Sequence, residues 1–325
     1  MADPQTKNAG GAGGKGARPA LNFRTLLPDD LHIDFVGKRK IFLIASTILN
    51  IAAIILFFVR PLNYGVDFTG GTAIRIRFAQ ATTAADLRSE LRTLDLRDLT
   101  VQDFGEQGRE FLLRFEIKVG HEMSSISETL AQLLQENRGG EKSFEILSID
   151  SVGPKVGANL RQQGFLAVLF ATIFMGIYIT IRFEPSFGLG AVVALIHDVF
   201  ITAGALMLTQ QSFDLTTLAG LLTVIGFSVH DTIIVSDRVR ENLRRSPKSP
   251  LADVINRSIN ETLSRTLLTT GTALFVLFAL YFLGGKGLEP FALTLVVGFI
   301  TGTYSSIYIA APVVLFWSNR SRLAS

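Results

Sequence analysis

No cysteine occurs among the 325 residues. This excludes disulfides, thiolate metal sites and a cysteine nucleophile. Charge is scarce too: 18% of residues are Asp, Glu, Lys or Arg, against 48% hydrophobic. With a mean hydropathy of +0.37, the chain is too apolar for an ordinary soluble protein. The net charge of +3 leans basic, but Lys and Arg gather at the ends of apolar runs, which suits a membrane and not a nucleic acid. The first apolar run ends FFVRP without a small-residue cleavage site, so it reads as a retained anchor. No H-E-x-x-H motif is present, and the glycine-rich stretch after the first run lacks the P-loop lysine and its strand–loop–helix context. No catalytic residue, cofactor or metal is expected, and the chain does not read as an enzyme.

Six apolar runs are long enough to span a bilayer core, which takes about 20 residues. They fall near 41–59, 165–181, 187–209, 216–235, 266–283 and 291–317. Lys38, Arg39 and Lys40 precede the first, Arg182 follows the second, and Arg320 and Arg322 follow the last. Arg238, Arg240, Arg244, Arg245, Lys248 and Arg257 separate the fourth from the fifth, while the opposite short connections hold only Lys286. The positive-inside rule then puts both termini in the cytoplasm.

The expected organisation is a disordered tail over 1–28, a first membrane helix over 41–59, an external domain over 60–161 and a five-helix bundle over 162–317. A cytoplasmic loop over 238–265 should carry an amphipathic surface helix, and 318–325 forms a short tail. Segment 29–35 reads either as lying along the membrane surface or as loose tail. In the external domain, 72–78, 99–104, 111–119 and 144–149 read as strands, and 83–94 and 124–137 as helices. Residues 111–119 alternate apolar and polar side chains, the mark of a half-buried strand. Thr83 and Asp86 have capping-box spacing. The order β-α-β-β-α-β is the ferredoxin-like pattern, a four-stranded antiparallel sheet with two helices on one face. The fold class is therefore a polytopic α-helical membrane protein, six transmembrane helices with a ferredoxin-like α+β domain between helices 1 and 2. That layout is similar to half of a resistance–nodulation–division transporter.

Two acids interrupt the apolar runs. Asp231 lies within LTTLAGLLTVIGFSVHDTIIV, and Asp198 lies in the preceding run. A carboxylate at a helix centre costs about 2.5–3.5 kcal/mol on insertion scales; such residues face the bundle interior and mark ion or proton paths. Asp198 shares a face with Gly190, Ala194, Thr202 and Ala205, and Thr294, Gly298, Gly302 and Ser306 recur at four-residue spacing in the last run. Small residues so spaced let helices approach closely. The pairs His197-Asp198 and His230-Asp231 raise a metal-dependent hydrolase as a rival, but adjacent residues on one helix point about 100° apart and do not converge on one ion.

Several segments carry a resemblance: GVDFTGG at 65–71, SVGPKVG at 151–157, LIHD at 195–198, VIGFSVHDTIIVSDRVREN at 224–242, LSRT at 263–266 and GTYSSIYIA at 302–310. In that order they resemble the SecD/SecF family of protein-export membrane proteins, SecF branch, over about 250 residues from the first membrane run to the last. The resemblance implies a subunit of the Sec machinery that pairs with SecD and completes export of unfolded polypeptide with the proton motive force. It implies the bacterial inner membrane, the SecYEG channel as a partner and, more indirectly, YajC and SecA. Asp231 matches the family's intramembrane acid, although His230 stands where asparagine is common. Asp231, Arg265 and Asp198 are the proton-relay candidates, with Arg265 at a depth similar to Asp231. Gly65, Asp67, Gly70 and Gly71 belong to a structural family motif, and Gly298, Gly302 and Ser306 to a packing seam. Two other readings stay open: half of a proton-driven small-molecule efflux transporter, and a non-transporting assembly factor.

Overall fold

The computed structural model describes residues 32–94, 96–105, 108–116, 130, 132–135 and 143–323. The tail expected over 1–28 and most of the helix expected over 124–137 lie outside the described residues. In chain order, α1 (Arg39–Val59) leads through β1 (Asn63–Tyr64) and the single turn α2 (Val66–Thr69) to β2 (Gly71–Phe78), α3 (Ala84–Leu91), β3 (Arg97–Asp103), β4 (Glu110–Glu116) and β5 (Phe144–Val152). Then come α4 (Pro154–Arg182), α5 (Pro185–Thr209), β6 (Ser212–Phe213), α6 (Leu215–Arg245), α7 (Leu251–Leu283) and α8 (Glu289–Ser305). A π-helical stretch, Ser306–Ala310, continues into α9 (Ala311–Leu323). Among the described residues, six helices are long and apolar enough to cross a membrane, the last running through α8 into α9.

The four longer strands form an antiparallel sheet in the order β3-β4-β2-β5, the ferredoxin-like arrangement. Alternation dictates its core: Ile74, Ile76 and Phe78 of β2 and Phe111, Leu113 and Phe115 of β4 point to one face. Leu87 and Leu91 of α3 cover them, together with Leu130 and Leu134. Thr83 starts α3 by accepting a hydrogen bond from the Asp86 amide, 3.1 Å. The other face of the sheet turns toward the bundle. There Ala73 and Leu112 pack with Val66, and the Arg75 guanidinium lies 4.8 Å from the centre of the Phe104 ring. Arg114 donates to Asn63 Oδ1, 3.1 Å; burial pulls its guanidinium below the ordinary value, opposed by Asp214.

In the bundle, α1, α4 and α7 turn large apolar side chains outward, among them Phe58, Ile181 and Phe275, each 80% exposed. Such surface suits lipid or a second membrane subunit. The inner seams rest on small residues. A Cβ at Gly298 of α8 would overlap Val224 Cγ2 of α6, and one at Gly302 would stand 3.1 Å from Ser228 Cβ. These glycines bring α6 and α8 into backbone proximity.

Three boundaries differ from the sequence reading. Helix α4 begins at Pro154, inside the segment assigned to the external domain. Helix α6 continues past 235 to Arg245, and α7 begins at Leu251. Segment 238–265 is thus no loop with a surface helix but the protruding ends of two membrane helices, joined by a turn over 246–250. The cause is a continuous apolar stripe: Val235, Val239, Leu251, Val254, Ile255 and Ile259 are all buried together. Polar bonds close the same hairpin. Asn242 Nδ2 donates to Ser258 Oγ at 3.0 Å and to Glu261 Oε2 at 2.7 Å, and Arg238 pairs with Glu241 and Glu261.

Segment 29–35 also behaves differently, as far as its described part (from His32) goes. Phe35 and Val36 enter the hairpin core. Asn256 Oδ1 accepts from the Phe35 and Val36 amides at 2.9 and 3.2 Å, and Asn260 Oδ1 accepts from Ile33 N at 2.9 Å. Both Asn side chains also donate to Ile33 O. The segment is clasped by α7 and is not loose.

Two outcomes follow. Replacing Asn256 and Asn260 together by Ala removes this clasp, worth about 1–3 kcal/mol, and should raise tryptic cleavage at Lys38 and Arg39 severalfold while helix content by circular dichroism stays unchanged. Gly298→Val should overpack the α6–α8 seam at a cost of about 1–3 kcal/mol and lower the thermal midpoint in detergent. Adding Val224→Ala should recover part of the loss; no recovery would mean the seam is set elsewhere.

Candidate proton-handling site

Asp231 lies on α6 and is fully buried. Its Oδ2 accepts from Thr303 Oγ1 of α8 at 3.0 Å. The Thr303 oxygen lies 2.8 Å from Thr270 Oγ1 of α7. A hydroxyl has one proton to give, so when Thr303 donates to Asp231, Thr270 donates to Thr303. The chain of three groups links α6, α8 and α7, and it can reverse: a protonated Asp231 donates to Thr303, which donates to Thr270. Asp231 Oδ1 has no hydrogen-bond partner among the described residues. His230 Nδ1 stands 3.7 Å from it, beyond hydrogen-bond range, on a side chain that is 55% exposed.

Asp198 of α5 is also buried. Its Oδ2 accepts from Ser228 Oγ of α6 at 2.6 Å and from Ser305 Oγ of α8 at 2.7 Å. Its Oδ1 lies 2.9 Å from Nδ1 of the neighbouring His197. Ser228 and Asp231 are three residues apart on α6, so they share a face. Ser305 and Thr303 come from the same turn of α8. The two acids therefore flank α8 in one polar layer, with no direct bond between them among the described residues.

Arg265 is placed otherwise. Thr266 and Thr270 face inward on α7 and are buried, which turns the adjacent Arg265 outward, where it is exposed. No ion pair joins Arg265 to Asp231 among the described residues, although its charge reaches the acid through space. Ser306 is buried at the start of the π-helical stretch and donates to the Thr303 carbonyl, 2.9 Å. A π turn redirects the backbone locally and is often found at functional sites.

The motif over 65–71 locks the domain end of this arrangement. Gly65 begins α2 and donates from its amide to Phe213 O, 2.8 Å. β1 pairs with β6 in parallel, and Phe68 stacks on Phe213 with ring centres 5.5 Å apart. Gly70 and Gly71 have φ of 77° and 106°, a region that side chains disfavour. Gly70 also lies against the Pro154 backbone, where a Cβ would come within 2.5 Å. Asp67 Oδ2 accepts from Leu215 N, 3.0 Å, and Asp214 accepts from Thr217 N, 2.8 Å. Two carboxylates thus cap the first turn of α6, where the helix dipole favours them. The loop that precedes the domain is hydrogen-bonded to the helix that carries Asp231.

Ser228, Thr303 and Ser305, which bond the two acids, and Thr270, which bonds Thr303, were not singled out in the sequence. The usable signal was the spacing of Ser228 to Asp231 and the hydroxyl-rich run Thr301, Thr303, Ser305, Ser306 in a span otherwise apolar.

Comparisons with known proteins agree with this layout. The family described as protein export membrane protein SecD/SecF, C-terminal, matches residues 132–320, and the SecD/SecF GG motif matches residues 55–82. A protein translocase subunit SecF from Calditerrivibrio nitroreducens is 41% identical over 303 residues, covering 92% of this chain and 99% of its own. One from Magnetococcus marinus is 44% identical over 293 residues, covering 90% and 94%. The crystal structure of SecDF, a translocon-associated membrane protein from Thermus thermophilus, superposes with a TM-score of 0.80 at 35% identity over 92% of this chain. A SecDF in a super-membrane-facing form gives 0.66 at 35% identity over 91%. The chain spans 41% and 40% of the length of those two solved chains. Its sequence, its six-helix layout and its GG motif together make the chain a member of the SecF branch of the SecD/SecF family of protein-export membrane proteins.

Proposed function

We propose that the chain is the smaller subunit of a proton-driven protein-export unit in the bacterial inner membrane, joined to SecD and working beside the SecYEG channel, with YajC and SecA as more distant partners. The observation that carries this reading is the buried Asp231, bonded to a reversible hydroxyl chain on a helix whose outer end is capped by the loop leading to the external domain. Protonation of Asp231 changes which way Thr303 and Thr270 donate, and so changes how α6, α7 and α8 hold one another. From Asp231 to Leu215 is about 24 Å along α6 at 1.5 Å per residue. A tilt or shift of that rigid helix moves Asp67 and the domain base with it. One charge crossing 100 mV releases about 2.3 kcal/mol, comparable with the hydrogen bonds that would be rearranged. Arg265 supplies a positive charge that favours the ionised acid, acting through space or by swinging inward during the cycle. Asp198 is the second relay candidate. The external domain, with a single ferredoxin-like unit, would hold emerging unfolded polypeptide.

Asp231→Asn keeps the size of the side chain and removes its titration. It should assemble with SecD normally, abolish the proton-gradient-stimulated part of export in inverted vesicles and spare the ATP-driven part. Normal export at every gradient would make Asp231 structural and favour the scaffold reading. Arg265→Lys keeps the charge without the planar guanidinium, so it should impair stimulated export less than Arg265→Ala; equal defects would remove the charge argument.

Topology can be read cleanly because the chain has no native cysteine. Ala81→Cys, in the exposed loop after β2, should react with a membrane-impermeant maleimide in spheroplasts. Pro247→Cys, in the turn between α6 and α7, should react only after permeabilisation. The reverse pattern would overturn the orientation with both termini cytoplasmic.

A further inference from the structure

Beside Asp231 the bundle holds a second ionisable pair, His197 and the relay candidate Asp198. His197 is 5% exposed and Asp198 is 1% exposed. Of the two imidazole nitrogens, Nδ1 is committed to Asp198 Oδ1 at 2.9 Å, while Nε2 is buried with no hydrogen-bond partner among the described residues. The geometry points to His197 and Asp198 as a second proton-binding site, in which the proton is taken up at His197 Nε2 and held as an imidazolium–carboxylate pair. This proposal rests on the reading that the chain works under a proton gradient.

The hydrogen-bond inventory assigns the roles. Ser228 and Ser305 both direct their hydroxyls to Asp198 Oδ2. Two donors on one oxygen favour the ionised carboxylate, against the cost of burying its charge. With Asp198 ionised, His197 Nδ1 must carry hydrogen to bond Oδ1, and a neutral imidazole then presents a bare lone pair at Nε2. In that state the pair has one net negative charge in a low-dielectric interior, an expensive arrangement. Adding one proton to Nε2 makes the histidine cationic and the pair neutral, with the Nδ1–Oδ1 bond now charge-assisted at both ends. One N–H bond forms, no bond breaks within the protein, and the electron count is unchanged.

The surroundings give the loaded state a mechanical readout. The Tyr304 ring of α8 lies 6.0 Å from the His197 ring, inclined by 30°, so the cationic imidazole meets an aromatic face. The same Tyr304 hydroxyl contacts Ser46 Oγ at 2.6 Å and donates to Phe42 O at 3.0 Å, both on α1. α1 ends at the strand that docks on β6. The titratable groups facing the ring among the described residues are Asp198 from its own helix and Tyr304 from α8. α6 offers Ser228 through Asp198, and α1 offers the neutral Ser46 through Tyr304. Asp231 bonds neither member of the pair; its partner on α8 is Thr303. Proton occupancy at His197 therefore bears on α1, while occupancy at Asp231 bears on α7.

Nitrogen-15 NMR of ring-labelled histidine, recorded on the chain co-assembled with SecD in nanodiscs, reads the proposal directly. The chain has four histidines, and the His197 signals are those lost in His197→Gln. They should change from a bare Nε2 with a protonated Nδ1 to a doubly protonated ring between about pH 9 and about pH 5. Asp198→Asn, which removes the counter-charge, should abolish the change in that range. Asp231→Asn should leave it in place. A His197 ring that stays neutral throughout, or that carries its hydrogen on Nε2 at high pH, overturns the proposal. So does a transition that survives Asp198→Asn or vanishes in Asp231→Asn. If Asp231→Asn exports normally, the function proposed above fails on its own, and the His197 signals still decide this inference.

Discussion

The contact between α6 and α8 governs what the rest of the bundle can do. A carboxylate inside a membrane needs hydrogen-bond donors within reach, and a threonine or serine side chain is short. Asp231 can meet Thr303 only because Gly298 and Gly302 let the two backbones approach, and the same approach brings Ser228 and Ser305 together on Asp198 of α5. A wider seam would part Asp231 from Thr303, a loss of about 1–3 kcal/mol for the unsatisfied group. The small-residue spacing in the last membrane run and the acids in the two earlier runs are therefore parts of one design. The glycines set the helix separation, and that separation sets the chemistry.

The polar layer joins four helices with very few groups. α8 lies at its centre, with Thr303 serving one acid and Ser305 the other. α7 joins through Thr270, and α5 brings Asp198 itself. Since hydroxyls both donate and accept, the layer can change its hydrogen-bond direction without breaking apart, which a layer built from arginine or lysine could not do. Arg265 stands outside it, exposed on α7. Its placement follows from helix phase: one residue away from the inward-facing Thr266, it lies about 100° around the helix.

Much of this was legible in the sequence, for identifiable reasons. The six spans follow from hydropathy, since lipid admits few charges. The strand pattern of the external domain follows from a period of two, clearest in the alternating run that starts at Phe111. What escaped reading lies where water and lipid meet. The ends of α6 and α7 are polar outside and apolar inside, so an average over the window falls although the helix continues; Val239, Val254 and Ile259 packed against one another carry it on. The clasp of Asn256 and Asn260 on the segment at Ile33–Val36 escaped for another reason: it joins residues more than two hundred positions apart, and local pattern holds no trace of such a pairing. Helix length gives Arg265 a depth similar to that of Asp231, but depth alone does not fix azimuth, and the side chain is exposed.

The short parallel pairing of β1 with β6 has a further consequence. It fastens the outer end of α1 to the outer end of α6, and Asp67 and Phe68 reinforce the fastening. The chain enters the external domain at Gly71 and leaves it at Val152, and these two residues face each other across the β2–β5 ladder. The strands that lead into and out of the domain thus form one ribbon two strands wide. A rigid body held that way bends easily about the axis across the ribbon and resists rotation about every other. A bend about that axis would turn a small displacement of α6 into a wide sweep at the far edge of the sheet.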